Sequence, residues 1–124
     1  MGHTAMDDKP KRLPMQHKML QQNNAVRKAA GQPAQVASDK LDKLAQDHAQ
    51  WMADNESMVH ANHQYMEIIY AGPDSVKEAF DGWTRSGAHY GIMLSGTSHA
   101  GFGMAIGNSG TKYWCGIYGS MKDD

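Results

Sequence analysis

Apolar residues along positions 38 to 55 recur with helical spacing. Leu41, Leu44, Ala45, His48, Ala49 and Met52 follow an i, i+3, i+4, i+7 pattern, which gives one continuous face for burial. Ser38 or Asp39 is placed to cap this helix, and Asp39 and Asp42 suit the positive end of its first turn. A second helical pattern starts at Asp74 or Ser75. Glu78 stands three residues after Ser75 as in a capping box, and Val76, Ala79, Phe80 and Trp83 line an inner face up to Ser86-Gly87. A weaker pattern spans Met15 to Ala30 through Met19, Leu20 and Val26, with Gly31 and Pro33 as stops. The last third changes period. Phe102, Met104 and Ile106 alternate with Gly103, Ala105 and Gly107, and Tyr113, Cys115 and Ile117 alternate with Trp114, Gly116 and Tyr118. Asn108-Ser109-Gly110 between them predicts a β-hairpin. Residues 32–37 read as a connector with a short edge strand, and Glu67-Ile68-Ile69-Tyr70 as a short strand or turn ended by Gly72-Pro73. Helices followed by paired strands predict an α+β domain.

Composition narrows the picture. The 124 residues suffice for one core. Twelve basic and thirteen acidic side chains leave a formal charge of −1, so no strong field draws in nucleic acid. No apolar run is long enough to span a bilayer. The single cysteine, Cys115, excludes an internal disulfide and reads as a small buried hydrophobe. Residues 1–14 are polar, interrupted by Pro10 and Pro14, and predict a flexible tail ahead of a single domain over 15–124. Met1-Gly2-His3 looks like an expression-vector start, so that a signal peptide would have been removed. The glycine-rich run Gly101–Gly107 has the wrong spacing for a dinucleotide fingerprint, and predicts instead close packing of a helix on the sheet. Most of Met52, Met58, Met66, Met93 and Met104 are expected as core filler.

Six segments, in order over about residues 19–119, together resemble the CAP superfamily of plant PR-1 proteins and cysteine-rich secretory proteins. Leu20-Gln-Gln-Asn-Asn24-Ala-Val-Arg27 is similar to the opening L-x-x-H-N-x-x-R, and Leu44 to Ala53 to the A-x-x-H-A-x-x-M-A helix. Met58-Val-His60 resembles the segment ending in the first site histidine, and Glu67 to Gly72 resembles G-E-N-I-A-x-G. Trp83-Thr-Arg-Ser86-Gly-Ala-His89 resembles the bacterial W-x-x-S-P-G-H, and Tyr113-Trp114 with Gly119 the closing Y-W strand. The resemblance implies a three-layer α-β-α sandwich with a small antiparallel sheet between helices. Asn23 replaces the usual histidine, Met66 and Ile68 flank Glu67 in place of glycine and asparagine, and the second glutamate after the tryptophan is missing.

What remains of the family's His-Glu-Glu-His group is His60, Glu67 and His89, which the resemblance sets facing one another across a cleft. Two imidazoles and a carboxylate suit a divalent metal such as zinc with an open position. A polar cleft in which the imidazoles hydrogen-bond Glu67 is the alternative. Ser86 and Tyr90 are expected to border the cleft. His48 is expected as a hydrogen-bonded core histidine, and His63 and His99 fall in loops without a spacing signal. The leading functional expectation is a monomeric, secreted or periplasmic module that binds a metal or small ligand without catalysis. A metal-assisted hydrolase of the same cleft, with Glu67 as base and His60 or His89 as acid, is the second. The third is a module for lipid or an extracellular protein, in which exposed Tyr65, Tyr70 and Tyr90 carry binding.

Overall fold

The computed structural model describes residues 12–121, so most of the expected tail lies outside the described residues. Within it, Arg12 ion-pairs with Asp42 at 2.9 Å and Pro14 already opens the first helix. The elements are α1 (Pro14–Ala29), β1 (Val36–Ala37), α2 (Asp39–Asn55), β2 (Met66–Ala71), α3 (Val76–Thr84), α4 (Gly87–Met93), β3 (His99–Ile106) and β4 (Lys112–Gly119). The sheet order is β1-β3-β4-β2. The β3–β4 hairpin and the β2–β4 pair are antiparallel, but β1 runs parallel to β3, so the sheet is mixed and not purely antiparallel as expected. The cause is chain direction: β1 enters from α1 and feeds straight into α2, alongside β3.

Alternation along the strands divides the core in two. Phe102, Trp114, Tyr118 and Ile68 face α1, α3 and α4, where they meet Met19, Phe80, Trp83 and Met93. Ile69, Ala105, Tyr113, Cys115 and Ile117 face α2, against Leu41, Ala45, Ala49 and Met52. This is the expected three-layer sandwich. The glycines of β3 set the distance to α2. A Cβ at Gly101 would strike the Leu41–Asp42 backbone, and one at Gly103 the backbone of Gln46.

Because β1 has only two residues, β3 runs beyond it with outward backbone groups. Two α2 side chains one turn apart complete that edge. Asp42 Oδ1 accepts from the Phe102 N–H at 2.9 Å, and Gln46 both accepts from the Met104 N–H and donates to its carbonyl. Pairing these groups removes the cost of buried, unbonded backbone. Arg27, fully buried, ties α1 to the end of α4 by donating from Nη1 to Met93 O and Ser95 O at 2.8 and 2.7 Å. Asn23, in place of the family's histidine, accepts from Tyr118 Oη at 2.8 Å and donates to Gln35 Oε1 at 2.9 Å.

The predicted helices stand close to their expected bounds, and Ser38 and Ser75 cap α2 and α3 through their hydroxyls. Three expectations need correction. His48 is half-exposed on the surface, stacked on Trp51 and bonded to Val59 O, because the loop after α2 folds back over it. Met58 and Met66 are exposed rather than core. Helix α4 was not expected.

Candidate functional site

The site lies at the β2 edge of the sheet, between the loop 56–65 and the α3–α4 turn. Glu56 ends α2 in the left-handed region (φ 46°), which turns the chain back toward β2. The far half of the loop is then held by one carboxylate. Glu67, with 4% of its side chain exposed, accepts at Oε1 from His60 Nδ1 (2.7 Å) and the Ala61 N–H (2.9 Å), and at Oε2 from His63 Nε2 (2.8 Å). A buried ionised carboxylate must accept at both oxygens to remain charged at tolerable cost. This fixes the rings. His60 donates to the carboxylate from Nδ1. His63 carries its proton on Nε2, and its Nδ1 accepts from the Tyr65 N–H at 3.0 Å.

The other side of the cleft is built by α3 and α4. Trp83 donates from Nε1 to Ile69 O at 3.1 Å, which clamps α3 along the outer edge of β2. Ser86 is the N-cap of α4, yet its hydroxyl makes no cap bond and lies 2.8 Å from His89 Nδ1. Burial, and then the charge of neighbouring His60, push the His89 imidazole below its ordinary pKa. Between the two sides is a cavity of about 240 Å³ lined by Met58, Ile69, Tyr70, Gly82, Trp83, Ser86 and His89. Its walls are mostly apolar, and Ser86 and His89 form its polar corner. The Tyr70 ring lies over Gly82, where a Cβ would come within 2.8 Å of Tyr70 Oη.

His60, Glu67 and His89 are thus brought to one region but not into one ligand set. Glu67 bonds His60 and His63, not His89, and no group of three or more His, Cys, Asp or Glu among the described residues is placed to hold a metal ion. Both Glu67 oxygens are instead turned to the loop, Oε1 to His60 and Ala61 and Oε2 to His63. Cys115 is buried beside Glu67, and burial followed by that negative charge pushes its thiol well up, which keeps it unreactive. Ser86 lines the cavity, and Tyr90, half-buried, is not among its lining residues. Tyr65 and Tyr70 are half-buried as well, Tyr65 against the α2-side core and under Lys40. His63 is the site residue that sequence reasoning missed. Its one signal was a position four residues before Glu67, which means nothing without a helix.

An α-β-α sandwich with one short parallel strand, whose β2-edge cleft is bounded by histidines from a loop and from a helix, defines a CAP-type domain. The sequence model of the cysteine-rich secretory protein family matches residues 20–118, and the chain belongs to that family. Among solved structures it is similar to an outer surface protein of Borrelia burgdorferi, with TM-score 0.78 and 16% identity over 98% of this chain and 100% of that one. An extracellular protein of Bacillus anthracis containing an SCP domain gives TM-score 0.73 and 17% identity, over 98% of this chain and 45% of that one. Hookworm platelet inhibitor gives TM-score 0.68 and 14% identity, over 97% of this chain and 78% of that one. No curated protein sequence matches the chain. Among the described residues no helix is long and apolar enough to cross a membrane.

Proposed function

We propose that this chain is an extracellular binding module whose β2-edge cleft takes a small, largely apolar molecule carrying one hydrogen-bonding group. The observation that carries this reading is the cavity of about 240 Å³. Trp83, Tyr70 and Met58 supply apolar wall, the chain at Ile69 closes the β2 edge, and Ser86 with His89 supply one polar corner. Pockets of this kind gain affinity from desolvated apolar surface and orientation from a few placed polar groups. The Glu67–His60–His63 cluster supports the cleft from behind by fixing the loop that bears Met58. An extracellular setting is in line with the Borrelia and Bacillus relatives, described as outer surface and extracellular proteins. A zinc site built on Glu67 is not part of this reading, because Glu67, His60 and His89 are not placed as one ligand set.

The test is an NMR titration of the ¹⁵N-labelled protein with N-ethylbutyramide, 1-hexanol and hexanoate. Saturable shifts at Ile69, Trp83 and His89, lost in His89→Ala, are expected. Shifts that never saturate, or that spread over the surface, would defeat the reading. Calorimetry with zinc on the same protein is expected to give no tight one-to-one site.

A further inference from the structure

We infer that Ser86 and His89 form a nucleophile–base pair that opens small carboxylic esters bound in this cleft. The inference rests on the binding reading above and adds covalent chemistry to it. Three observations carry it. Ser86 Oγ lies 2.8 Å from His89 Nδ1, which is hydrogen-bonding distance for proton transfer. Ser86 occupies an N-cap position, where a serine hydroxyl ordinarily accepts from a backbone N–H, as Ser38 and Ser75 do in this chain. Ser86 makes no such bond, so its hydroxyl is committed to the imidazole alone. Both groups also line the cavity of the site, whose apolar wall of Trp83 and Met58 suits a short alkyl or acyl chain.

With the ring proton on Nε2, the Ser86 hydroxyl donates to Nδ1. Attack of Oγ on an ester carbonyl carbon forms the Oγ–C bond as that proton passes to Nδ1. The bond from the carbonyl carbon to the alkoxy oxygen then breaks, and the alcohol leaves with the proton that His89 returns. Water repeats the sequence on the acyl-serine: it gives its proton to His89 and joins the carbonyl carbon. The Oγ–C bond breaks, Ser86 recovers its proton, and the carboxylic acid is released.

The chemistry is separable from the metal-assisted hydrolysis that the sequence suggested. It needs no divalent ion and leaves Glu67 in a supporting role. Nor does it use Cys115, whose thiol is buried on the α2 side of the sheet.

The experiment is labelling of the full chain with an ethyl fluorophosphonate, read by intact mass and peptide mapping. Oγ–P bond formation with loss of fluoride gives one adduct per chain, and it is expected on Ser86. Labelling should vanish in Ser86→Ala and slow at least tenfold in His89→Gln, with circular dichroism and melting temperature confirming that both variants fold. Chelator should not change the rate. p-Nitrophenyl butyrate should give a burst of one nitrophenolate per chain in the wild type and none in Ser86→Ala. No adduct, or an adduct on another residue, overturns the inference. If N-ethylbutyramide nonetheless binds the unlabelled wild type at Ile69 and Trp83, the binding reading stands without the chemistry. If it does not bind either, both fall.

Discussion

His63 Nε2 lies 2.8 Å from Glu67 Oε2, and the same ring accepts from the Tyr65 N–H through Nδ1 at 3.0 Å. One imidazole thus joins the buried carboxylate to the backbone that leads into β2. Inverting the ring would break both bonds at once.

Glu67→Gln tests that constraint. The amide keeps one acceptor but places an NH₂ group where a second acceptor is needed, against His63 or against His60 and Ala61. Leaving a buried donor unmatched costs about 1–3 kcal/mol. Urea denaturation should show a loss in that range, and the Ala61 and Tyr65 amides should exchange with solvent faster. His63→Ala should free the Tyr65 amide while leaving Ala61 bonded to Glu67. A variant in which all amides of the loop 56–65 keep wild-type protection would show that the carboxylate does not anchor it.

The β3 glycines give a second test. At Gly101 an added Cβ would also meet Leu41 Cβ at 2.6 Å, and the atoms it strikes in α2 are backbone, which cannot swing aside. Gly101→Ala and Gly103→Ala are each expected to cost about 1–3 kcal/mol or more, as overpacked cores do. Gly96→Ala, which meets nothing within 4 Å, is the control. Equal melting temperatures for all three would remove the close approach as the reason for these glycines.

Much of this layer was legible in the sequence, and the reasons differ by element. Helices α2 and α3 declared themselves through serine caps and a one-sided apolar period. The β3–β4 hairpin did so through two alternating runs around Asn108-Ser109-Gly110, where Gly110 indeed adopts φ 91°. Helix α4 gave no signal because its seven residues include Gly87 and Gly91 and lack a side-chain cap bond. The edge strand expected within residues 32–37 is β1, but its parallel pairing with β3 left no pattern, since it needs only Val36 and Ala37. Within the site, Ser86 and His89 sit three residues apart on one helical turn, so their contact was within reach of the sequence. The bonds of Glu67 were not, because they depend on a left-handed turn at Glu56 that returns the loop to β2. Only the resemblance singled out His60, and nothing singled out His63.

Asp42 carries a third prediction. Burial lifts its carboxyl above the usual range, against the pull of the Phe102 N–H and of Arg12. Folded Asp42 therefore holds a proton more readily than unfolded Asp42, and its ionisation opposes folding at neutral pH, a penalty relieved as pH falls. Asparagine removes that penalty and keeps an acceptor for Phe102 N–H. Asp42→Asn should thus change stability by about 1 kcal/mol or less, although the ion pair with Arg12 is gone. Asp42→Ala strands the Phe102 N–H at the open edge of β3 and should cost about 1–3 kcal/mol. Chemical denaturation at pH 7 distinguishes them, and an asparagine variant as damaged as the alanine one would assign the stability to the ion pair.

His89 titrates below the ordinary histidine value because it is partly desolvated and because His60 lies beside it. As pH falls through about 6.5, unfolded His89 takes up a proton that the folded ring still refuses. Its contribution to stability is therefore complete above the unfolded value and declines as pH falls below it. The two causes respond to different substitutions. His60→Ala removes the neighbouring charge and should move the His89 midpoint upward, part of the way to the ordinary value, as followed by the ring C–H resonances in an NMR titration. Ser86→Ala opens the cavity corner and removes the hydroxyl at Nδ1 without removing His60, and should raise it through better solvation and the loss of that bond. In His89→Gln the acid-side decline of stability should be shallower than in the wild type. A His89 midpoint unmoved by His60→Ala would mean that the two rings do not sense each other, and that the loop and α4 do not share one cleft.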